Sequence, residues 1–299
     1  MWFSLSLITI IAWAGSDLFS KKGTRPDDRY SHLRLVIVVG TAMGIHAILY
    51  LLFTGMEYSP FSIIRYFPVS AMYILSMALG YAGLRYIELS VSSPICNSSG
   101  AVTAILCFFI LRQTMEPLQV VGVVLICLGI FLLSVLEKRK ADMDGIRTED
   151  DPYRKYRVGA VAIIFPLLYC VIDGLGSFMD AWYLENLMSE DEANISYELT
   201  FAACALISYL YLRVLKKQEF SYLKERDFCF GALCETAGQF TYIYAMSDNA
   251  IVAAPLISSY SIFSVLMSRI FLKEKLTKPQ YFVIAMVMAG IVILGIFDA

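Results

Sequence analysis

Carboxylates stranded among apolar residues give the first functional signal in this chain. Glu235 has Ala232, Leu233, Cys234 and Ala237 around it, in a stretch from 228 to 246 that carries no other charge. A carboxylate so placed needs a hydrogen-bonding partner or takes up a proton, which suits it to bind a cation or to exchange a proton. Gln239 follows one helical turn later on the same face, and Tyr242 and Tyr244 continue a polar aromatic stripe. Asp173 sits in CVIDGLGSFMD beside Gly174 and Gly176, which permit close helix approach or a cavity lining. In the first half, Trp13-Ala14-Gly15-Ser16-Asp17 also joins small residues to an aspartate. Asn97, Ser98 and Ser99 follow Pro94, and Ser258, Ser259 and Tyr260 follow Pro255. A helix proline frees a carbonyl one turn back, which nearby hydroxyls satisfy, or those hydroxyls bind a solute. Tyr169 and Tyr242 could form a cation–π wall. The substrate-binding candidates are therefore Glu235, Gln239, Tyr242, Asp173, Asp17, Asn97, Ser258 and Tyr169, with no catalytic and no metal-ligating residue among them.

Blander roles compete with these. A buried glutamate can serve only packing specificity between helices, and Asp17 and Asp180 could be helix-end acids that meet interfacial water. His46 reads as a bonded core histidine before a proton relay, and Trp13 and Trp182 as core or interfacial belt. Arg85 and Glu88 close the third apolar stretch and Asp248 separates the eighth from the ninth. Arg85, if it faced a cavity, would favour a carboxylate or phosphate.

The elements that must position these groups follow from composition. Hydrophobic residues make up 58% of the chain and charged ones 17%, and mean hydropathy is +0.65, outside the usual soluble range. Apolar runs of about 20 residues match the hydrocarbon core of a bilayer crossed as a helix. They do not alternate as barrel strands do. The chain reads as an all-α integral membrane protein. Seven cysteines lie in or beside apolar runs with no CxxC or Cys/His spacing, as small buried hydrophobes. No cofactor is implied. Apolar spans are expected near 2–21, 35–53, 67–87, 91–111, 117–135, 158–184, 197–215, 228–246, 253–272 and 279–296. The acidic run ENLMSEDEANIS reads as a loop. A polar linker at 137–157 separates a first unit, 1–136, from a second, 158–297.

The units repeat. Residues 92–135 align with 253–296 without a gap, bringing Pro94 to Pro255, Ser98 to Ser259, Gln119 to Gln280 and Gly129 to Gly290. Ten spans as five plus five make each repeat odd, so the second copy must enter the membrane from the opposite side. Two inverted five-helix halves are the architecture of secondary transporters, with the site between them at the midplane. Loops after the first, fifth, seventh and ninth spans hold nearly all the Lys and Arg, which places the first loop in the cytoplasm and both termini outside.

The repeat resembles the EamA unit of the drug/metabolite transporter superfamily. The family's turn pattern G-E-x-L-T-x-x-Q-x-x-G is matched by Glu274, Leu276, Thr277 and Gln280, with Lys273 in place of the first glycine. In the first copy Arg112-Gln113-Thr114-Met115-Glu116 has drifted while Gln119 and Gly122 remain, and Tyr81-Ala82-Gly83-Leu84-Arg85-Tyr86 resembles the end of the family's third helix. The resemblance implies export or exchange of small metabolites or drugs, and it implies cytoplasmic termini, opposite to the loop charges. The turn threonine reads as a helix cap.

The function expected is a secondary transporter of a small organic metabolite or drug in the cell membrane, working by alternating access, with proton coupling as an option. Acids beside aromatics lean toward a cationic or zwitterionic solute. Its partners are that solute and membrane lipid, with no nucleic acid; the oligomeric state is left open. The alternative is a non-transporting membrane sensor or assembly factor. An embedded enzyme is disfavoured by two histidines, no nucleophile motif and no sizeable extramembrane segment, and the chain carries no Walker motif.

Overall fold

The computed structural model describes residues 1–25, 28–83, 95–145, 160–272 and 276–296. Arg85, Glu88, Pro94, the turn residues 273–275 and most of the linker, 146–157, lie outside them. Among the described residues every regular element is helical. The first half contains α1 (Trp2–Gly23), α2 (Ser31–Thr54), α3 (Phe61–Gly83), α4 (Ser99–Leu106, continued as a π-helical turn Cys107–Leu111) and α5 (Pro117–Gly145). The second contains α6 (Ala160–Asn186), α7 (Glu190–Leu210, with a π-helical turn Tyr211–Leu215), α8 (Arg226–Ser258), α9 (Tyr260–Leu272) and α10 (Lys278–Gly295).

Seven helical stretches among the described residues are long and apolar enough to cross a membrane, and Ser99–Leu111 and Pro117–Leu133 are shorter apolar helices. Their outward faces carry exposed Phe53, Phe109, Ile270 and Phe282, which water would penalise and hydrocarbon would not.

Two boundaries differ from those the sequence leads one to expect. α7 starts at Glu190, so the expected acidic loop is its first turn. The Ser189 side chain accepts from the Glu192 N–H, and Glu190, Asp191 and Glu192 sit at the positive end of the helix dipole. α5 runs on to Gly145, through the first part of the polar linker. The expected break between 246 and 253 is met at Asn249, whose backbone leaves helical geometry (φ −159°, ψ 76°) between the two arms of α8.

The two halves pack on each other helix by helix. α1 lies along α8, α2 along α7, α3 along α6 and α5 along α10, while α4 fits against α6 and α8 and α9 against α1. The aligned glutamines do the same work in each half. Gln119 Oε1 accepts the N–H of Glu116 (2.9 Å) at the start of α5, and Gln280 Oε1 accepts the N–H (2.6 Å) and hydroxyl (2.9 Å) of Thr277 at the start of α10. The expected threonine cap is thus shared with the glutamine three residues on.

The repeated glycines set how closely α5 and α10 approach. A Cβ at Gly290 would stand 2.8 Å from the Gly122 carbonyl oxygen, a backbone atom that cannot turn aside. Gly290→Ala is therefore expected to cost about 1–3 kcal/mol, read as a lower melting temperature of the detergent-purified protein.

The two ends of the molecule differ in charge. At one end Arg25 and Arg34, after α1, meet Glu225, just before α8 (3.2 and 3.5 Å). At the other, the N–H of Trp2 donates to Asp248 (2.9 Å) and the acidic start of α7 is tied to α2, α3 and α8.

Candidate functional site

A cavity of about 130 Å³ lies between the halves, walled by α1, α3, α4, α6, α7, α8 and α9. All eight sequence candidates line it: Asp17, Asn97, Tyr169, Asp173, Glu235, Gln239, Tyr242 and Ser258. Charge must face inward in a helix whose outer side meets lipid, which is why polarity within spans located this wall.

The carboxylates are held by hydroxyls from the opposite half. Asp17 on α1 accepts from Ser264 Oγ on α9 (2.8 Å). Asp173 on α6 accepts from Ser76 on α3 (3.0 Å) and Ser99 on α4 (2.8 Å). Glu235 on α8 has the Ser16 hydroxyl of α1 as its hydrogen-bonding neighbour. No Lys, Arg or His stands among the described lining residues, whose acidic side chains are Asp17, Asp173 and Glu235.

Aromatic rings make much of the remaining wall. Trp13 stacks at 5.1 Å from Tyr242 and meets Tyr260 edge-on at 5.6 Å, so the indole belongs to the cavity rather than to an interfacial belt. It fits because residue 238 is glycine: a Cβ there would lie 2.4 Å from Trp13 Cδ1. Two polar atoms on this wall are buried and unpartnered, Trp13 Nε1 and Gln239 Nε2.

Beyond Tyr242 the cavity gives way to a closed hydrogen-bond network. Tyr73 and Tyr242 share a bond between hydroxyls (2.6 Å), and both hydroxyls lie within hydrogen-bonding distance of Ser177 Oγ (3.2 and 3.1 Å). The Tyr73 hydroxyl also lies 3.3 Å from Asp180, to which Tyr66 donates. Asp180 is 0% exposed, so it is no helix-end acid in interfacial water. Further toward the acidic end, Tyr50 (2.6 Å) and Tyr244 both donate to Asp191, Ser62 to Glu192 and Ser247 to Glu190 (2.5 Å), and Tyr58 bonds Ser196 (2.8 Å). Seven of these ten ties join the two halves.

His46 is engaged outside the cavity. Its Nδ1 bonds Glu198 on α7 (2.8 Å), a carboxylate that Asn194 also serves (3.2 Å).

Sequence reasoning does not single out Tyr73, Ser76, Ser99 and Ser264 as partners of the acids. The α3 set carries a detectable signal: Tyr66, Tyr73, Ser76 and Gly80 recur at helical spacing along one face. Glu198 is hidden because the acidic run before it reads as a loop.

A family model described as the EamA-like transporter family matches residues 1–135 and 160–296. Among curated proteins no relative matches. A solved structure described only as "Crystal structure of protein" superposes over 99% of this chain and 96% of its own, with a TM-score of 0.69 at 13% identity. That likeness concerns the fold.

Proposed function

We propose that this chain, which belongs to the EamA-like transporter family, is a secondary transporter that exports or exchanges a small organic solute across the cell membrane. The family places it among multi-pass membrane transporters of small molecules. The finer reading is alternating access by two inverted five-span halves, ten spans in all, with a proton taken up or released at the cavity acids. Exchanging the halves maps the observed helix pairs, α1 with α8, α2 with α7, α3 with α6 and α5 with α10, onto themselves, as a pseudo-two-fold axis requires. The apolar stretch Arg226–Met267, at 42 residues, has about twice the length one crossing needs.

One observation carries the reading of the site. Asp17, Asp173 and Glu235 face one cavity between the halves, among aromatic rings and with no basic side chain among the described lining residues, while Lys21 acts on Asp17 from one helical turn away. That chemistry selects a cationic or zwitterionic solute through carboxylate pairing and cation–π contact. The volume, about 130 Å³, is below the roughly 300–1,000 Å³ of drug-sized pockets and suits a small metabolite. Access to the acidic end requires the Asp180 and Asp191 ties between the halves to part.

The test is flux in proteoliposomes carrying the full chain. Glu235→Gln keeps the shape of the side chain and removes its charge. It is expected to lower flux about tenfold or more, the equivalent of about 1.4 kcal/mol, with an unchanged melting temperature. Wild-type flux in a well-folded Glu235→Gln protein would refute the assignment.

A further inference from the structure

We infer that the cavity takes a linear diamine, with one ammonium at each of two matching half-sites. The inference rests on the transporter reading above and narrows its solute class. On α1, Trp13 and Asp17 stand four residues apart, one helical turn, on the same face. The Trp13 ring lies against Gly238 of α8, and Asp17 accepts from Ser264 of α9. On α6, Tyr169 and Asp173 repeat that spacing. The Tyr169 ring lies against Gly80 of α3, where a Cβ would be 3.0 Å away, and Asp173 accepts from Ser76 of α3 and Ser99 of α4. Each half-site is thus an aromatic face and a carboxylate on the first helix of one half, closed by the third and fourth helices of the other.

Both carboxylates are only partly satisfied. A carboxylate has about four lone-pair positions, and one hydroxyl on Asp17 and three on Asp173, from Ser76, Ser99 and Tyr169, leave room for an ammonium. Glu235 adds a third negative group on the same wall. Gln239 supplies independent support for a polar occupant: it lines the cavity, is 5% exposed, and its Nε2 has no hydrogen-bond partner. Such a group is incomplete without a ligand, and its amide can turn to offer oxygen to an ammonium. A metal ion is a poorer fit, because among the described residues no three His, Cys, Asp or Glu side chains come close enough to hold one. A single cation would engage one half-site and leave the other carboxylate with its hydroxyl partners alone.

The test compares 1,4-diaminobutane with 1-aminobutane by calorimetric titration of the full chain in nanodiscs, alongside flux in proteoliposomes. Two linked anchors convert the second contact into an intramolecular one, so the diamine is expected to bind about tenfold tighter or more, at one per chain. Asp17→Asn and Asp173→Asn are each expected to erase that advantage. Should either variant fold poorly, a series of α,ω-diamines on the unchanged protein decides the matter: two anchors give an affinity optimum at one chain length. Equal binding of diamine and monoamine, affinity that rises steadily with length, or two monoamines bound with no diamine advantage would each overturn the inference and leave the cation-transporter reading standing. If no amine bound while another solute was carried, the diamine inference and the cationic reading would fall together. If nothing was carried at all, transport itself would be refuted.

Discussion

Asp180→Ala is expected to destabilise the protein by about 1–3 kcal/mol, because the buried Tyr66 hydroxyl loses its acceptor, while Tyr73 keeps Tyr242 and Ser177 as partners. Asp180 and Tyr66 are fully buried and Tyr73 nearly so, so bulk water has no ready route to replace the lost bonds. The damage reaches the cavity through Tyr73, whose hydroxyl also bonds Tyr242 (2.6 Å) on its wall. Asp180→Asn keeps an acceptor oxygen for Tyr66 and should fall between alanine and wild type. Tyr66→Phe removes one donor and should cost less than Asp180→Ala. Melting temperatures of the four purified proteins check the order. Equal values for Asp180→Ala and Asp180→Asn would show that the network does not hold α3 to α6 through hydrogen bonds, since only the asparagine retains an acceptor.

What is legible in the sequence is what bilayer energetics makes local. Charge inside a span must turn away from lipid, so the positions of Asp17, Asp173 and Glu235 within apolar runs already point to an interior wall, and all three line one cavity. The repeat is legible for a similar reason. Gln119 and Gln280 cap equivalent helices, and a cap is a contact made within three residues of sequence. Contacts between the halves leave no such trace. Nothing in the neighbourhood of Ser264 marks it as the donor to Asp17, which lies 247 residues away. Trp13 shows the same limit. Its apolar neighbours suggest belt or core, and only the bare backbone of Gly238 from another helix makes room for the indole at the cavity. The unexpected start of α7 has a plain cause: charged residues such as Glu190 interrupt hydropathy without ending a helix. In a packed bundle, caps and cross-helix bonds satisfy those groups, so the hydrophobic run is shorter than the helix.

The pair between α2 and α7, a half-buried His46 on a fully buried Glu198, gives the other large effect. Glu198 is 0% exposed, and it is bonded by His46 and Asn194 at 2.8 and 3.2 Å. Removing one member of a buried pair strands the other, at about 3–5 kcal/mol, whereas replacing both with apolar groups is often near neutral. His46→Leu should therefore be the worst of the set, leaving Glu198 with Asn194 in an apolar seam beside Phe240. In His46→Leu/Glu198→Leu the stranded carboxylate is gone. What remains is the Asn194 amide without its acceptor, at about 1–3 kcal/mol. The double variant is thus expected to melt higher than His46→Leu, an inversion that simple loss of packing cannot produce, because two truncated contacts would add. Melting temperatures of wild type, both single variants and the double variant close the cycle. Additive losses would mean that His46 and Glu198 act independently and that the α2–α7 seam is held by its apolar packing instead.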